Sequence, residues 1–128
     1  MKELIVALVT PFKNLKLDEN SLINIVKSVE KDSDGVLILG STAESSLLTL
    51  EEKLKICDIV FKNYSKNIYV GLEGRSVDEI ITLSKSFEKY NVYAYLITPI
   101  NYTFLSRLNI TNWSDQICIN IILFKRLR

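Results

Sequence analysis

Apolar and polar positions alternate along this chain in two different periods. Leu4 to Val9 is an unbroken apolar run, and it stops at Thr10-Pro11, because proline lacks the amide a strand ladder needs. It predicts a first strand buried on both faces. A polar loop through Lys16 leads to Asp18, placed to cap a helix. Leu22, Ile25, Val26 and Val29 then recur at the i, i+3, i+4, i+7 spacing of one buried helical face. Asp34-Gly35 turns the chain into Val36-Leu-Ile-Leu39, a second buried strand. Thr49 and Glu52 have capping-box spacing and open a helix with Leu54, Cys57, Phe61 and Tyr64 on one side.

The same alternation continues. Asn67 to Leu72 predicts a third strand, and Ser76 with Glu79 a second capping box. The helix behind that box carries Val77, Ile80, Ile81, Ser84 and Phe87 along one stripe, and Val92 to Ile97 predicts a fourth strand. Strands alternating with amphipathic helices imply right-handed crossovers and a parallel sheet. Past Pro99 the pattern weakens. Ser106 to Cys118 reads as a fourth helix with Leu108 and Trp113 facing inward, and Ile119 to Phe124 as a further strand.

Composition narrows the class of molecule. With 48% hydrophobic and 24% charged residues the chain reads as an ordinary soluble globular domain. A net charge of +1 gives no electrostatic case for nucleic acid or an anionic membrane, and the basic end Lys125-Arg126-Leu127-Arg128 is too short to alter that. No apolar run approaches the ~18 residues of a membrane span, and the amino terminus lacks a signal-peptide layout. Cys57 and Cys118 are far apart, and histidine is absent. These features exclude a Cys/His zinc site, a disulfide framework and Ser-His-Asp or Cys-His catalysis within this chain, and they suit a reduced, cytoplasmic protein. Cys57 reads as a small core residue.

The candidate chemistry lies at Gly40-Ser41-Thr42-Ala43-Glu44-Ser45-Ser46, just beyond the second strand. That is the carboxyl end of a parallel strand, where α/β proteins place their ligands. Gly40 lets the backbone approach a bound group closely. Ser41 and Thr42 offer hydroxyls and backbone N–H groups to an anion or a carbonyl oxygen. On these residues alone the loop also suits an ordinary polar strand-to-helix connection.

This stretch, followed by Leu48-Thr49-Leu50-Glu51-Glu52, closely resembles the Gly-Thr/Ser-Thr-Gly-Glu-Ser signature of the dihydrodipicolinate synthase / N-acetylneuraminate lyase family. Ala7-Leu8-Val9-Thr10-Pro11-Phe12 resembles that family's first strand and its Thr-Pro-Phe exit, and Leu96-Ile97-Thr98-Pro99 the end of its fourth strand. The resemblance implies an α/β fold of the (β/α)8 TIM-barrel family. A whole barrel needs about 250 residues. The 128 residues here therefore imply a single partial domain, a half barrel of four to five parallel strands with helices, in which residues 1–99 carry the match and 100–128 diverge.

Members of the resembled family are pyruvate-handling class I aldolases. A lysine on the sixth strand forms a Schiff base with pyruvate, its pKa depressed by desolvation so that the neutral amine attacks. A tyrosine at the end of the fifth strand passes protons. The resemblance makes Ser41 part of a proton relay, and gives Thr42, with Gly40 and Ala43, the pyruvate carboxylate. Counting from Pro99 puts Asn101 at the place of a relay tyrosine contributed across a subunit interface, with Tyr102 one residue later as the candidate. Ala43 stands where the family has glycine, which matters only if that backbone needs φ > 0. Glu44 fits the motif and equally suits a helix-start acid.

No Schiff-base lysine can be placed: Lys13, Lys16, Lys53, Lys66 and Lys85 read as solvated, and the catalytic tyrosine has no match. No cofactor and no metal is implied. The spacing from Glu44 to Glu52 is that of the synthase branch, which condenses pyruvate with aspartate semialdehyde on the way to diaminopimelate and lysine. N-acetylneuraminate lyase or 2-keto-3-deoxy sugar acid aldolase is the alternative. The resemblance further implies a homo-oligomer, dimer or tetramer, and a truncated chain inactive by itself. Two other readings of the residues are a small flavodoxin-like domain that only binds a carboxylate or phosphate, and a half barrel that pairs with itself or with a separately encoded second half.

Overall fold

The computed structural model describes residues 2–97 in full and the backbone of Ile122–Lys125. In chain order the elements are β1 (Ile5–Ala7), β2 (Phe12–Lys13), β3 (Lys16–Leu17), α1 (Glu19–Glu30), β4 (Gly35–Ile38), a 3-10 turn (Ser45–Leu47), α2 (Leu50–Asn63), β5 (Asn67–Leu72), α3 (Val77–Ser86), β6 (Ala94–Ile97) and β7 (Ile122–Lys125). The main sheet runs β1-β4-β5-β6-β7, and β2 and β3 form a separate hairpin. Its first four strands are parallel neighbours in chain order, with Ile5 opposite Gly35, Leu37 opposite Tyr69 and Tyr69 opposite Ala94.

The core explains why this is a barrel segment and not a doubly wound sheet. Val36, Ile38, Ile68, Val70 and Leu72 share one side of the sheet. They join Leu22 and Val26 of α1, Ile56, Cys57 and Val60 of α2, and Ile80 and Phe87 of α3 in a single buried cluster. The alternate positions Ala7, Leu37, Tyr69, Gly71 and Leu96 face the other way and stay outside that cluster. A flavodoxin-like domain would need helices on both sides. Among the described residues the helices cover one face, as in half a (β/α)8 barrel.

Helix starts follow the sequence signals. Asp18 caps α1, its side chain accepting from the Ser21 N–H at 3.1 Å and the Ser21 hydroxyl at 2.7 Å. These bonds hold its carboxyl below the usual range. Thr49 closes a full capping box: its hydroxyl accepts from the Glu52 N–H, and the Glu52 carboxylate accepts from the Thr49 N–H. Ser76 caps α3, but the Glu79 carboxylate accepts from the Arg75 N–H, one residue before the cap, so the second box is only half formed.

Four expectations change. β1 spans three residues and is no buried strand: Leu4 is 55% and Ile5 40% exposed, because β1 is the end strand of the sheet. Ile81 is exposed on α3 and Leu83 packs toward the core in its place. The polar stretch through Lys16 is a hairpin, with a two-residue turn at Asn14–Leu15. The last strand forms at Ile122–Lys125, antiparallel to β6 and not as a parallel fifth strand. The outer edge of β6 presents N–H and C=O groups that a strand of either direction can satisfy. Tyr102, Cys118 and the helix expected over residues 106–118 lie outside the described residues.

Candidate functional site

β4 delivers its chain directly into a tight turn. Leu39, fully buried, adopts φ 56, a left-handed conformation unusual for a non-glycine residue. The Gly40 carbonyl then accepts from the Ala43 N–H at 3.1 Å and the Ser45 N–H at 3.3 Å, and the Glu44 N–H donates to the Ser41 carbonyl at 3.0 Å. Glu44 is also left-handed, at φ 55, and leads into the 3-10 turn. From the segment that follows β1 the Thr10 hydroxyl donates to the Ala43 carbonyl at 2.9 Å. The turn is thus pinned on both flanks.

Ser41 and Thr42 occupy its tip. Both are exposed, while Gly40 and Ala43 beside them are buried. Among the described residues neither hydroxyl has a hydrogen-bond partner, and neither backbone N–H takes part in the bonds that close the turn. Two hydroxyls and two amides on a compact loop offer donors that suit a carboxylate or a carbonyl oxygen. Ser45 is 1% exposed, and its Oγ lacks a partner among the described residues.

The structure brings Gly40, Ser41, Thr42 and Ala43 together at the carboxyl ends of the parallel strands. Ala43 is not among the positive-φ residues, so alanine in place of glycine costs the turn nothing. The left-handed residues are its neighbours Leu39 and Glu44. Lys13 and Lys16 are exposed on the hairpin, Lys53 is half-buried on α2, and Lys85 lies in the last turn of α3. Lys66 donates from Nζ to the Ser33 carbonyl at 2.5 Å, at the opposite, amino end of the sheet. Lys125 falls opposite Ala94, also at the amino end of β6. Cys57 is buried in the core, and burial, with Asp58 nearby, pushes its thiol up to about 12.

Two residues that shape the site went unread in the sequence. In the sequence Thr10 reads as a strand end and as part of the Thr-Pro-Phe exit, with no sign of its bond to the turn. Gly71 lies within β5, directly beneath the turn, where a Cβ would come within 2.2 Å of the Leu39 carbonyl oxygen. A glycine inside a buried strand is the signal that could have found it, since such glycines often mark close backbone approach.

The Dihydrodipicolinate synthetase family model matches residues 1–123. The chain belongs to this family. The 4-hydroxy-tetrahydrodipicolinate synthase of Chlamydia felis is 38% identical, over 86% of this chain and 42% of that protein. That of Thermodesulfovibrio yellowstonii is 37% identical, over 73% of this chain and 34% of its own length. Among solved structures, dihydrodipicolinate synthase from Aquifex aeolicus superimposes with a TM-score of 0.69 at 29% identity, covering 76% of this chain and 34% of that one. N-acetylneuraminate lyase from Mycoplasma synoviae does so with a TM-score of 0.67 at 27% identity, covering 78% and 37%. The chain therefore spans well under half the length of the relatives it matches. Its sheet is a partial TIM barrel.

Proposed function

We propose that this chain supplies the pyruvate-holding half of a 4-hydroxy-tetrahydrodipicolinate synthase-type class I aldolase. The observation that carries the proposal is the pinned turn after β4, whose tip leaves the Ser41 and Thr42 hydroxyls and amides uncommitted. In this reading the Thr42 hydroxyl and the tip amides hold the pyruvate carboxylate, and Ser41 relays a proton at the reacting carbonyl. The amine that captures pyruvate comes from strands beyond those described, as does the tyrosine that passes protons. The completed enzyme joins pyruvate to an aldehyde, aspartate semialdehyde in the synthase branch, within lysine and diaminopimelate synthesis. Small dissolved substrates and a buried free thiol fit a cytoplasmic enzyme, and the family supports assembly into dimers or tetramers.

Likeness to a 2-keto 3-deoxygluconate aldolase from Picrophilus torridus, with a TM-score of 0.71 at 27% identity, supports a sugar-derived aldehyde as the second reading. The test of the shared claim is a pyruvate titration of the isotope-labelled chain followed by amide resonances. Saturable shifts at Ser41 and Thr42, abolished by competing 2-oxobutyrate and reduced in Thr42→Val, are expected. A chain whose tip amides ignore pyruvate would overturn the proposal.

A further inference from the structure

We infer that Gly71 is a positioning residue for the pyruvate-holding turn, acting by seating the Leu39 carbonyl directly upon the backbone of β5. The inference rests on the functional reading above for its ligand, and on geometry for its mechanism. A Cβ on residue 71 would lie 2.2 Å from the Leu39 carbonyl oxygen, 2.7 Å from its carbonyl carbon and 2.9 Å from the Gly40 Cα. Real Cβ atoms essentially never come under 3.0 Å of such neighbours, and all three of these are backbone atoms with no flexible end to swing aside. The close approach coincides with Leu39 at φ 56, and the turn begins at the next residue. A buried leucine holds this disfavoured conformation only where its surroundings impose it. Gly71 permits the main chain to descend onto the sheet, and Thr10 ties the far side of the turn at Ala43. Between these two anchors the direction of the Ser41 and Thr42 amides is fixed. Gly71 also belongs to the face turned away from the helices, and the space its side chain would take there is filled by the Leu39–Gly40 backbone.

Gly40 is less constrained, despite its place in the motif. A Cβ there would meet nothing nearer than Leu37 Cδ2, a side-chain end, at 3.2 Å. The indispensable glycine for the loop's placement is the one on the neighbouring strand.

Gly71→Ala should lift the Leu39–Gly40 peptide and re-aim the tip. A displacement of about 1 Å in a positioning group costs up to about 100-fold in function. The expected results are shifted Ser41 and Thr42 amide resonances in the free protein and pyruvate binding weakened at least about tenfold. Gly35→Ala is the control. It meets the Asn67 carbonyl and the Tyr69 ring at 2.9 Å, a milder packing conflict at the amino end of the sheet, and should lower the Tm while leaving the tip resonances in place. Unchanged tip resonances and affinity in a folded Gly71→Ala protein would overturn the inference, as would equal disturbance of the tip by Gly35→Ala. If Gly71→Ala does not fold, the wild-type chain decides: nuclear Overhauser contacts between the Gly71 and Gly40 Hα protons are expected from this close backbone approach, and their absence would refute the seating mechanism. Should the wild-type chain not bind pyruvate, the functional reading fails while the resonances of the free variants still decide the role of Gly71.

Discussion

Leu15 is 96% exposed and holds φ 63 at the tip of the β2–β3 hairpin, next to Asn14 at φ 50. Two left-handed residues in a two-residue loop make a type I′ turn, which favours Asn-Gly. Leucine there gains nothing from burial and carries the left-handed penalty of about 1–2 kcal/mol, part of which glycine gives back as chain entropy. Leu15→Gly is therefore expected to stabilise the protein by about 1 kcal/mol, a Tm rise of about 3–5 °C. An unchanged or lower Tm would show that the turn is not strained. Cys57 lends itself to an equally direct check. Its thiol is fully buried and pushed up to about 12 by that burial, with Asp58 adding to the effect. A thiol-specific disulfide reagent at pH 8 should modify Cys57 only after denaturant is added, since the thiolate is the reactive form. Rapid labelling of the native protein at this position would contradict its place in the core.

Elements were legible where local chemistry and burial agreed. β5 is found over Asn67–Leu72 as expected, because an apolar run in the middle of a parallel sheet is buried on both faces. α1 and α2 begin at Asp18 and Thr49 because those side chains satisfy orphan amides that any helix start exposes. β1 was misread because six apolar residues look alike at the centre and at the edge of a sheet. The β2–β3 hairpin was missed because Leu15 occupies the place where glycine would have announced the turn. Thr49→Ala should cost about 1 kcal/mol, more than Ser76→Ala, whose box is only half formed, and melting curves of the two variants test that order. Tyr90 ties the segment after α3 to α2: its hydroxyl donates to Asp58 Oδ1 at 2.5 Å and to the Leu54 carbonyl at 3.1 Å, and its ring stacks on Phe61 at 5.0 Å. Burial, then the Asp58 hydrogen bond, raises its pKa above the ordinary tyrosine value, and burial also raises Tyr69. A group whose folded pKa is raised contributes stability that is complete below its unfolded pKa and lost as pH climbs toward the folded one. The Tm should accordingly fall as pH rises past about 10, and fall less steeply in Tyr90→Phe. An identical alkaline slope in the variant would remove Tyr90 from that account.

At the scale of the whole molecule, the half of the site that depends on one strand and its turn was legible, and the half that depends on neighbouring strands was not. Gly40 to Ala43 are contiguous, so the motif alone placed them. The roles of Thr10 and Gly71 arise only when β1 and β5 flank β4, across sequence separations that no local pattern encodes. The same logic governs what the described strands can catalyse. In the proposed function, capture of pyruvate as an imine requires a neutral amine near the Ser41–Thr42 tip, and an exposed lysine with a pKa near about 10.4 is almost wholly protonated at neutral pH. Among the described residues no lysine occupies the face away from the helices at the carboxyl ends of the parallel strands. Lys66 is bound at the amino end, and Lys125 lies three residues along β7 from Ile122, which pairs with Ile97 at the site end, a separation of about 10 Å. Toward the site end of that face Leu37 and Leu96 are only partly buried, and β1 has no described partner on its outer edge, so water keeps any amine nearby solvated and charged. The 128-residue chain incubated with pyruvate and borohydride should therefore gain no reduced adduct by mass spectrometry, even though its tip amides respond to pyruvate. A stoichiometric adduct mapped to one lysine would mean that the chain lowers an amine's pKa by itself, and the division of labour between the holding turn and the capturing strand would have to be abandoned.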